Sequence, residues 1–303
     1  MRRVDSSAIT ALAPVFALLP VWLISVAIFW IPFGIFGGVN FVLFAISLLL
    51  LGVVLFSRPI QRLFFARLLG ARPPTHAELD LLDQAWNRVA QANHFAPSRF
   101  VLAVAEGDDI NAFACGGHLL VVSSYAINNL NTDELTGILA HELSHHLGGH
   151  TVALTIAQWM SLPVISLARV GFALQRIAQA ATNMFDDRFP NRFVRLFGRV
   201  VASLLSAIAW IFQAGLLFAQ SWGNVVGRSA EYQADARAVE MGFGRELLSA
   251  LKRVVASGHS DAFRGWSAVA LASHPPARIR IARLEAMLRR DNSSASNRRR
   301  RPR

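Results

Sequence analysis

Charged side chains are scarce in this sequence, and none occurs within residues 6–57. They make up 16% of the 303 residues, whereas hydrophobic residues make up 53% and the mean hydropathy is +0.39. This balance excludes an ordinary soluble domain and indicates a membrane protein. Cysteine is almost absent as well. The single Cys115 excludes an intramolecular disulfide and is typical of a reducing compartment.

The charge-free segment is long enough for two membrane crossings of about 20 residues each. Glycine and asparagine residues at 34–40 form the natural turn, which predicts helices near 10–33 and 39–56. Residues 1–3 resemble the charged start of a signal peptide. The apolar run is too long for one, however, and a second span follows at once, which favours an uncleaved anchor.

Arginine residues flank both ends of the charge-free segment. We therefore expect both flanks, and the domain that begins near residue 73, to be cytoplasmic. Two more apolar runs follow at 151–168 and 200–227. If both runs cross the membrane, the basic segment 169–199 lies outside, against the positive-inside tendency. Two alternatives stay open: the tendency is overridden here, or the pair dips into the membrane or lies in its interface.

The five residues at 141–145 read H-E-L-S-H. Two histidines four residues apart lie on one face of a helix, one turn apart, where both rings can bind one metal ion. Glu142 points toward the space beside that metal. Two metal ligands and a general base are the pattern of zinc peptidases. Asn131 predicts that this helix begins near residue 132, and the helix is expected to loosen at 148–149.

A zinc site of this kind needs one more protein ligand, and Glu231 is the best candidate. Asp235 lies four residues further along, on the same helical face, where it can accept a hydrogen bond from a ligating histidine. The alternative is that Glu231 pairs with Arg228 or Arg237 on a solvated helix face. The zinc motif upstream favours the ligand role.

These motifs resemble the gluzincin metallopeptidase family of HtpX and the CAAX prenyl proteases. Four segments occur in the family's order: N-A-F-A at 111–114, H-E-L-S-H at 141–145, E-Y-x-A-D at 231–235, and S-H-P-P at 273–276. The number and placement of the apolar runs resemble HtpX more than the CAAX enzyme. The resemblance implies one Zn²⁺ per chain, with Glu142 as the general base and three ligands: His141, His145 and Glu231.

The resemblance also implies a substrate-binding edge beside the cleft, where a peptide pairs as an added strand. The edge would be formed by the apolar strand 118–123 and the N-A-F-A segment, which is Asn111, Ala112, Phe113 and Ala114. Arg278, further along the chain, would also contact the substrate. His274 would lie near the open metal position, where it stabilises the oxyanion or binds the metal in a latent state. The alternative is that His274 caps a turn before Pro275.

Three other side chains near the motifs are given no catalytic role. Cys115 stands where the family commonly has a small hydroxyl residue, and we interpret it as a buried small side chain rather than a nucleophile. His146 and His150 lie off the ligand face. We expect His146 to be exposed, and His150 to lie behind the ligands or at the membrane interface.

The predicted fold is a mainly α-helical membrane protein with a zincin-type α+β catalytic domain and a small sheet formed from about 100–124. An N-terminal transmembrane hairpin precedes this domain, and a second apolar helix pair is inserted in it. Five segments are predicted in chain order. They are the hairpin with its basic flank (1–72), the first catalytic segment (73–150), the apolar pair (151–220), the second catalytic segment (221–288) and a disordered tail (289–303). The tail holds seven arginines against one aspartate, and we expect it to contact anionic lipid rather than nucleic acid.

The predicted function is a membrane-integrated zinc endopeptidase that cuts membrane or misfolded proteins at the cytoplasmic face of a bacterial inner membrane, as quality control. His145 lies six residues before 151, and 227 lies four residues before Glu231. The zinc is therefore expected within roughly 10 Å of the membrane, on helices that continue the membrane helices. Alternatives are a CAAX-type processing protease and a non-catalytic membrane scaffold. No nucleic-acid partner is expected, and the oligomeric state is open.

Overall fold

The computed structural model describes residues 12–299, apart from 62, 64, 65, 69, 189–191 and 258–275. The described residues form two compact units. The sheet unit comprises 53–155 and the described residues from 224 onward, and the apolar unit comprises 13–52 and 156–223. The predicted segments 1–72 and 151–220 are therefore each divided between the two units.

The apolar unit begins with two helices, α1 (Ala13–Gly37) and α2 (Phe41–Val53), and a 3₁₀ turn at Val54–Phe56 extends the second. The turn between them is favoured by Gly38, whose φ of +62° disfavours a side chain. Asn40 then caps α2, because its side-chain oxygen accepts a hydrogen bond from the Val42 amide. The predicted N-terminal helical pair is thus present.

Two long helices follow the zinc motif: α8 (His150–Arg188) and α9 (Arg192–Glu240). Within the apolar unit, α8 packs on α1 and α2 through a core of eight buried side chains: Leu18, Val21, Trp22, Val26, Ala45, Met160, Val164 and Ala168. The Trp159 indole donates a hydrogen bond to the Leu48 carbonyl over 2.9 Å. Gly171 allows α8 to approach Ala209 of α9, because a Cβ there would lie 3.0 Å from the Ala209 Cβ.

Three described helical segments are long and apolar enough to cross a membrane: Val15–Gly37, His150–Ile177 and Arg192–Gly215. The helical stretch Phe41–Phe56 is apolar but shorter. Large apolar side chains on these helices are exposed, such as Phe16 at 65% and Leu43 at 64%. Contiguous exposed apolar surface of this kind is typical of contact with lipid.

The expected continuity between metal-bearing helices and membrane helices holds on one side only. Glu231 lies on α9, which also carries the fourth apolar run. The zinc helix instead ends at Leu147, and Gly149 adopts a φ of +73° before α8 begins, so the continuation predicted there is wrong. On α9 the span-forming stretch ends at Gly215, sixteen residues before Glu231.

The sheet unit contains a four-stranded sheet in the order β1-β2-β4-β3. Its strands are β1 (Ala71–Arg72), β2 (Val101–Ala105), β3 (Ala112–Cys115) and β4 (Leu119–Ser123). β2 and β4 pair in parallel, and the other two pairs are antiparallel. The sheet predicted at about 100–124 is confirmed, and β3 lies at its edge. β1 was not predicted, because two residues show no alternation.

The zinc motif lies on α7 (Thr132–Leu147), and two helices pack directly on it: α5 (His76–Ala92) and α10 (Gly244–Ala256). The other helices of the sheet unit are α3 (Arg58–Ile60), α4 (Ala66–Leu68), α6 (Ser124–Asn129) and α11 (Ala277–Arg299), and a 3₁₀ turn lies at Pro97–Arg99. Gly137 permits the close approach of α7 to α10, because a Cβ there would lie 2.2 Å from the Leu247 backbone nitrogen. The predicted fold class, mainly helical with a small sheet, is confirmed.

The predicted disorder of the C-terminal tail is wrong for residues 289–299, which are the end of α11. Leu284 is fully buried in the core of the sheet unit, and Ile281 and Met287 pack against that core. An anchored helix propagates at low cost through residues that would not form one alone. The polar composition of the tail therefore misled the prediction.

Candidate active site

His141 and His145 are brought to one point by a strongly specified helix. Asn131 and Glu134 form a capping box, in which each side chain accepts a hydrogen bond from the other residue's backbone amide. Both histidines are buried, at 2% and 9% exposure. Their Nε2 atoms lie 3.3 Å apart, as one-turn spacing on a helix predicts.

Glu231 of α9 completes the group. Its Oε1 lies 3.1 Å from His145 Nε2, and its Oε2 lies 3.3 Å from His141 Nε2. Two atoms that bind a tetrahedral zinc at about 2.0–2.1 Å are themselves about 3.3 Å apart. The three predicted ligands therefore meet at the spacing that one such ion requires, and they are the group of described residues that could hold a metal.

The buried charges around these atoms also fit a divalent cation. Three carboxylates are buried, those of Glu142, Glu231 and Asp235, at 4%, 2% and 1% exposure. One buried guanidinium, that of Arg280, faces them at 6% exposure. Ionised, the four groups sum to a charge of −2, which is costly in a buried site. A bound Zn²⁺ would neutralise it.

Asp235 orients His141, as predicted. Its Oδ1 lies 3.0 Å from His141 Nδ1, so the ring donates that proton to the carboxylate and turns Nε2 toward the ligand group. Burial alone would raise the pKa of Asp235. The hydrogen bond from His141 and the charge of Arg280 outweigh burial and hold that pKa at about 2.

Arg280 is a site residue that was not predicted from the sequence. Its guanidinium donates to both oxygens of Asp235 over 3.0 and 2.7 Å, and Nη1 lies 3.5 Å from Glu231 Oε2. Arg278, predicted instead, is exposed. The sequence does contain a pattern that points to Arg280, because it lies four residues before Leu284, on the same buried face of α11. His274 lies outside the described residues.

The N-A-F-A segment forms the edge of the sheet. The Asn111 carbonyl accepts a hydrogen bond from the Ser123 amide over 2.8 Å, and the Asn111 amide donates to Ser123 Oγ over 3.1 Å. With the antiparallel register, this alternation turns the N–H and C=O groups of Ala112 and Ala114 away from β4. Within the described part of the chain, no strand pairs with this side of β3, so the predicted pairing of Ala112, Phe113 and Ala114 with an added strand stays a prediction that the sheet allows.

Three side chains near the ligands have surroundings that bear on their predicted roles. His146 is not exposed as expected: its Nε2 donates to the Leu119 carbonyl over 3.2 Å, and Nδ1 accepts from the Thr151 hydroxyl over 3.1 Å. Burial lowers the His146 pKa to about 3. The centre of the His150 ring lies 6.0 Å from that of the His145 ring, so His150 is a neighbour of a predicted ligand. Burial raises the pKa of Cys115 to about 11, which agrees with an unreactive thiol.

Arg237 links the two ligand-bearing helices. Its Nη1 donates to the Ser144 carbonyl over 3.1 Å, one residue before His145. Gly148 leaves room for this contact, since a Cβ there would lie 2.4 Å from Nη1 and 2.6 Å from His150 Nδ1. A cation at a helix C-terminus is also favourable. The contact therefore fixes the end of α7 that carries His145.

We expect Arg237→Met to lower zinc affinity about 10- to 100-fold, the usual effect of losing an outer-shell partner. Gly148→Ala displaces the same guanidinium and should act in the same direction, with less than additive effect in the double variant. Competition with a chromophoric chelator measures the affinity. Arg253→Met is the matched control, because Arg253 pairs with Glu134 at the other end of α7. Equal zinc affinities in Arg237→Met and Arg253→Met would refute the role.

A buried His-His-Glu group on two helices, with a glutamate beside the first ligand and a sheet edge nearby, defines the class of gluzincin-type metallopeptidases. The chain belongs to Peptidase family M48, whose model matches residues 77–288.

The relatives agree with this membership. The chain is 30% identical over 200 residues to Protease HtpX of Mannheimia succiniciproducens, covering 61% of this chain and 66% of that protein. It is 26% identical over 258 residues to Protease HtpX of Nitrosococcus oceani, covering 77% and 80%. The chain thus spans about two thirds of the first relative's length. The crystal structure of S. mikatae Ste24p has a similar fold, with a TM-score of 0.50 at 19% identity, over 88% of this chain and 62% of that one.

Proposed function

We propose that this protein is a membrane-integrated zinc endopeptidase that hydrolyses peptide bonds of membrane or misfolded proteins at the cytoplasmic face. The observation that carries the proposal is the spacing of His141, His145 and Glu231, which suits one tetrahedral zinc. Family membership supports peptidase chemistry, and the three span-length apolar helices support a membrane location.

Each residue of the site has a separate role in the proposed peptide hydrolysis. His141, His145 and Glu231 would hold the zinc, which would supply a Lewis acid for activating water and polarising the scissile carbonyl. Glu142, buried beside the ligands, takes the proton of the attacking water and passes it to the leaving amine. Asp235 holds His141 in the tautomer that leaves Nε2 as a lone-pair donor facing Glu231, as a metal ligand requires. Arg280 holds Asp235 ionised and oriented.

The substrate binds in an extended conformation along β3, by pairing with the outward N–H and C=O groups of Ala112 and Ala114. Main-chain pairing recognises no particular sequence, which suits a protease that removes varied damaged proteins. The likeness to Ste24p concerns the fold alone, so it does not favour CAAX processing over this function.

We expect Ala114→Pro to raise KM at least about fivefold with little change in kcat, because proline removes one main-chain donor to the substrate. The hydrogen bonds between β3 and β4 do not use that donor, so the fold should survive. Ala114→Ser keeps the amide and is the control. Initial rates on a fluorogenic peptide give both constants, and an unchanged KM in Ala114→Pro would show that the substrate does not pair at this edge.

The proposed substrate class is tested with purified full-length protein in lipid nanodiscs. Three substrates are compared: a membrane protein with a destabilised cytoplasmic loop, the same protein in its stable form, and a prenylated C-terminal peptide. We expect zinc-dependent cleavage of the destabilised membrane protein above all. Cleavage of the prenylated peptide alone would support the CAAX-type alternative. No cleavage of any substrate by the zinc-loaded protein would support a non-catalytic scaffold.

A further inference from the structure

Three basic residues from three chain segments lie near one another beside the end of the apolar stretch Phe41–Phe56. We call Arg58, Arg99 and His118 the Arg58 cluster. Arg58 Nη2 donates to the Arg99 backbone carbonyl over 3.1 Å, and the Arg99 guanidinium lies 5.8 Å from the centre of the Phe100 ring. Burial lowers the pKa of His118, and the charges of Arg58 and Arg99 lower it further. His118 is therefore neutral at pH 7, and the positive charge of the cluster is that of its two guanidinium groups, which belong to exposed residues.

No described carboxylate is ion-paired with Arg58 or Arg99. Other arginines of the sheet unit do have such partners: Arg72 with Glu78, Arg88 with Asp133, Arg253 with Glu134, and Arg280 with Asp235. His118 Nδ1 is buried and has no hydrogen-bond partner among the described residues. Arg58 and Arg99 are both exposed, so their guanidinium groups are open to an anion from outside the chain, and the unpartnered Nδ1 of His118 can add a hydrogen bond to it.

The position of the cluster identifies that anion. Arg58 follows Phe56, where the apolar stretch Phe41–Phe56 ends. Gly117, next to His118, faces the end of this stretch and the start of α8, because a Cβ there would lie 3.9 Å from Phe56 Cδ1 and 3.8 Å from Val152 Cγ2. A group at such a boundary lies at the level of lipid head groups, whose phosphates are the abundant anions there.

The cluster is also joined to the substrate edge. Gln61, fully buried, donates to the Gly116 carbonyl over 2.9 Å, and Gly116 follows Cys115, the last residue of β3. His118 lies in the same β3–β4 turn. A ligand bound between Arg58 and His118 would therefore hold this turn against the segment that leaves the membrane.

We propose that Arg58, Arg99 and His118 bind the head group of an anionic phospholipid. Two guanidinium groups favour a net negative head group over a zwitterionic one, whose terminal cation they repel. Occupancy steadies the β3–β4 turn and so lowers KM for substrates that pair with β3. This last effect rests on the proposed function, whereas the binding does not.

The binding is tested by native mass spectrometry of the full-length protein, titrated with phosphatidylglycerol in detergent. Arg58→Gln combined with Arg99→Gln should weaken phosphatidylglycerol binding about 30-fold, the factor expected for two arginines near a charged lipid surface. The charge-matched control is Arg88→Gln with Arg289→Gln, which removes two exposed arginines elsewhere. Phosphatidylcholine and inorganic phosphate are the competing probes. Equal weakening in both double variants, or equal competition by either probe, overturns the site.

The functional arm measures KM in nanodiscs with and without phosphatidylglycerol. The wild type should show about a threefold lower KM with the anionic lipid, a change no larger than the contribution of a single hydrogen bond. The KM of the Arg58/Arg99 variant should be the same in both membranes. A wild type that binds the lipid without a KM response overturns the link to the substrate edge while the site stands. A wild type that cleaves nothing in either membrane refutes the proposed function, and the binding result is unaffected.

Discussion

Glu142→Gln abolishes peptide hydrolysis while the chain keeps its metal. The amide matches the carboxylate in shape, so the packing of the buried side chain should persist. An amide does not accept a proton at neutral pH, so the general base is lost, which typically costs about 10²–10⁴-fold in rate. Because Glu142 is not among the three convergent ligand residues, zinc content should stay at the wild-type level. Peptide turnover and elemental analysis of the same preparation measure the two quantities.

The matched control for this variant is Glu240→Gln, an exposed glutamate near the end of α9. It changes the same functional group outside the site, and we expect wild-type turnover from it. If Glu142→Gln cleaved at the wild-type rate, Glu142 would not be the base. If it lost zinc as well as activity, the carboxylate would be a ligand, and the assignment of the three ligand residues would be wrong.

Arg280→Met destabilises the fold, and more severely without zinc than with it. Removing the guanidinium leaves the carboxylates of Glu142, Glu231 and Asp235 without their buried cation. Breaking a buried ion pair by deleting one partner typically costs about 3–5 kcal/mol. The summed charge of the site becomes −3 without the metal and −1 with Zn²⁺. The loss in melting temperature should therefore be larger in the presence of a chelator.

Arg278→Met is the matched control for Arg280→Met, because it changes the same residue type two positions earlier on α11, where the side chain is exposed. We expect no change in its melting temperature, measured by thermal unfolding in detergent with and without zinc. Arg280→Lys should retain part of the stability, since one donor and the charge remain. Similar melting curves for Arg278→Met and Arg280→Met would contradict the role assigned to Arg280.

The zinc helix could be predicted because its determinants are local. The capping box at Asn131 and Glu134 and the one-turn spacing of the histidines are both set by short stretches of sequence. Glu231 could also be predicted, because its motif is distinctive. Local sequence patterns do not give the distance between Glu231 and the two histidines. The fold brings the Glu231 carboxylate oxygens to 3.1–3.3 Å from the histidine Nε2 atoms.

The incorrect sequence predictions have a common cause: each concerns a residue whose surroundings are formed by segments distant in the sequence. His146 was expected to be exposed from its position around the helix, but its Nε2 donates a hydrogen bond to the Leu119 carbonyl of β4. Arg278 was named from the family resemblance and Arg280 was missed, because the side of α11 that faces the site is set by the packing of Leu284 in the core. Two-residue β1 and the helical end of the tail likewise depend on neighbours rather than on local preference.

Restoration of activity by zinc is the sharpest test of the zinc-peptidase assignment. The full-length protein in nanodiscs is stripped with a chelator and titrated with Zn²⁺ while cleavage of a destabilised membrane protein is followed. We expect no cleavage without metal and a linear return of the full rate that ends at one zinc per chain, as one His141–His145–Glu231 site requires. Full cleavage by the stripped protein, or no cleavage at any zinc level, would refute the assignment.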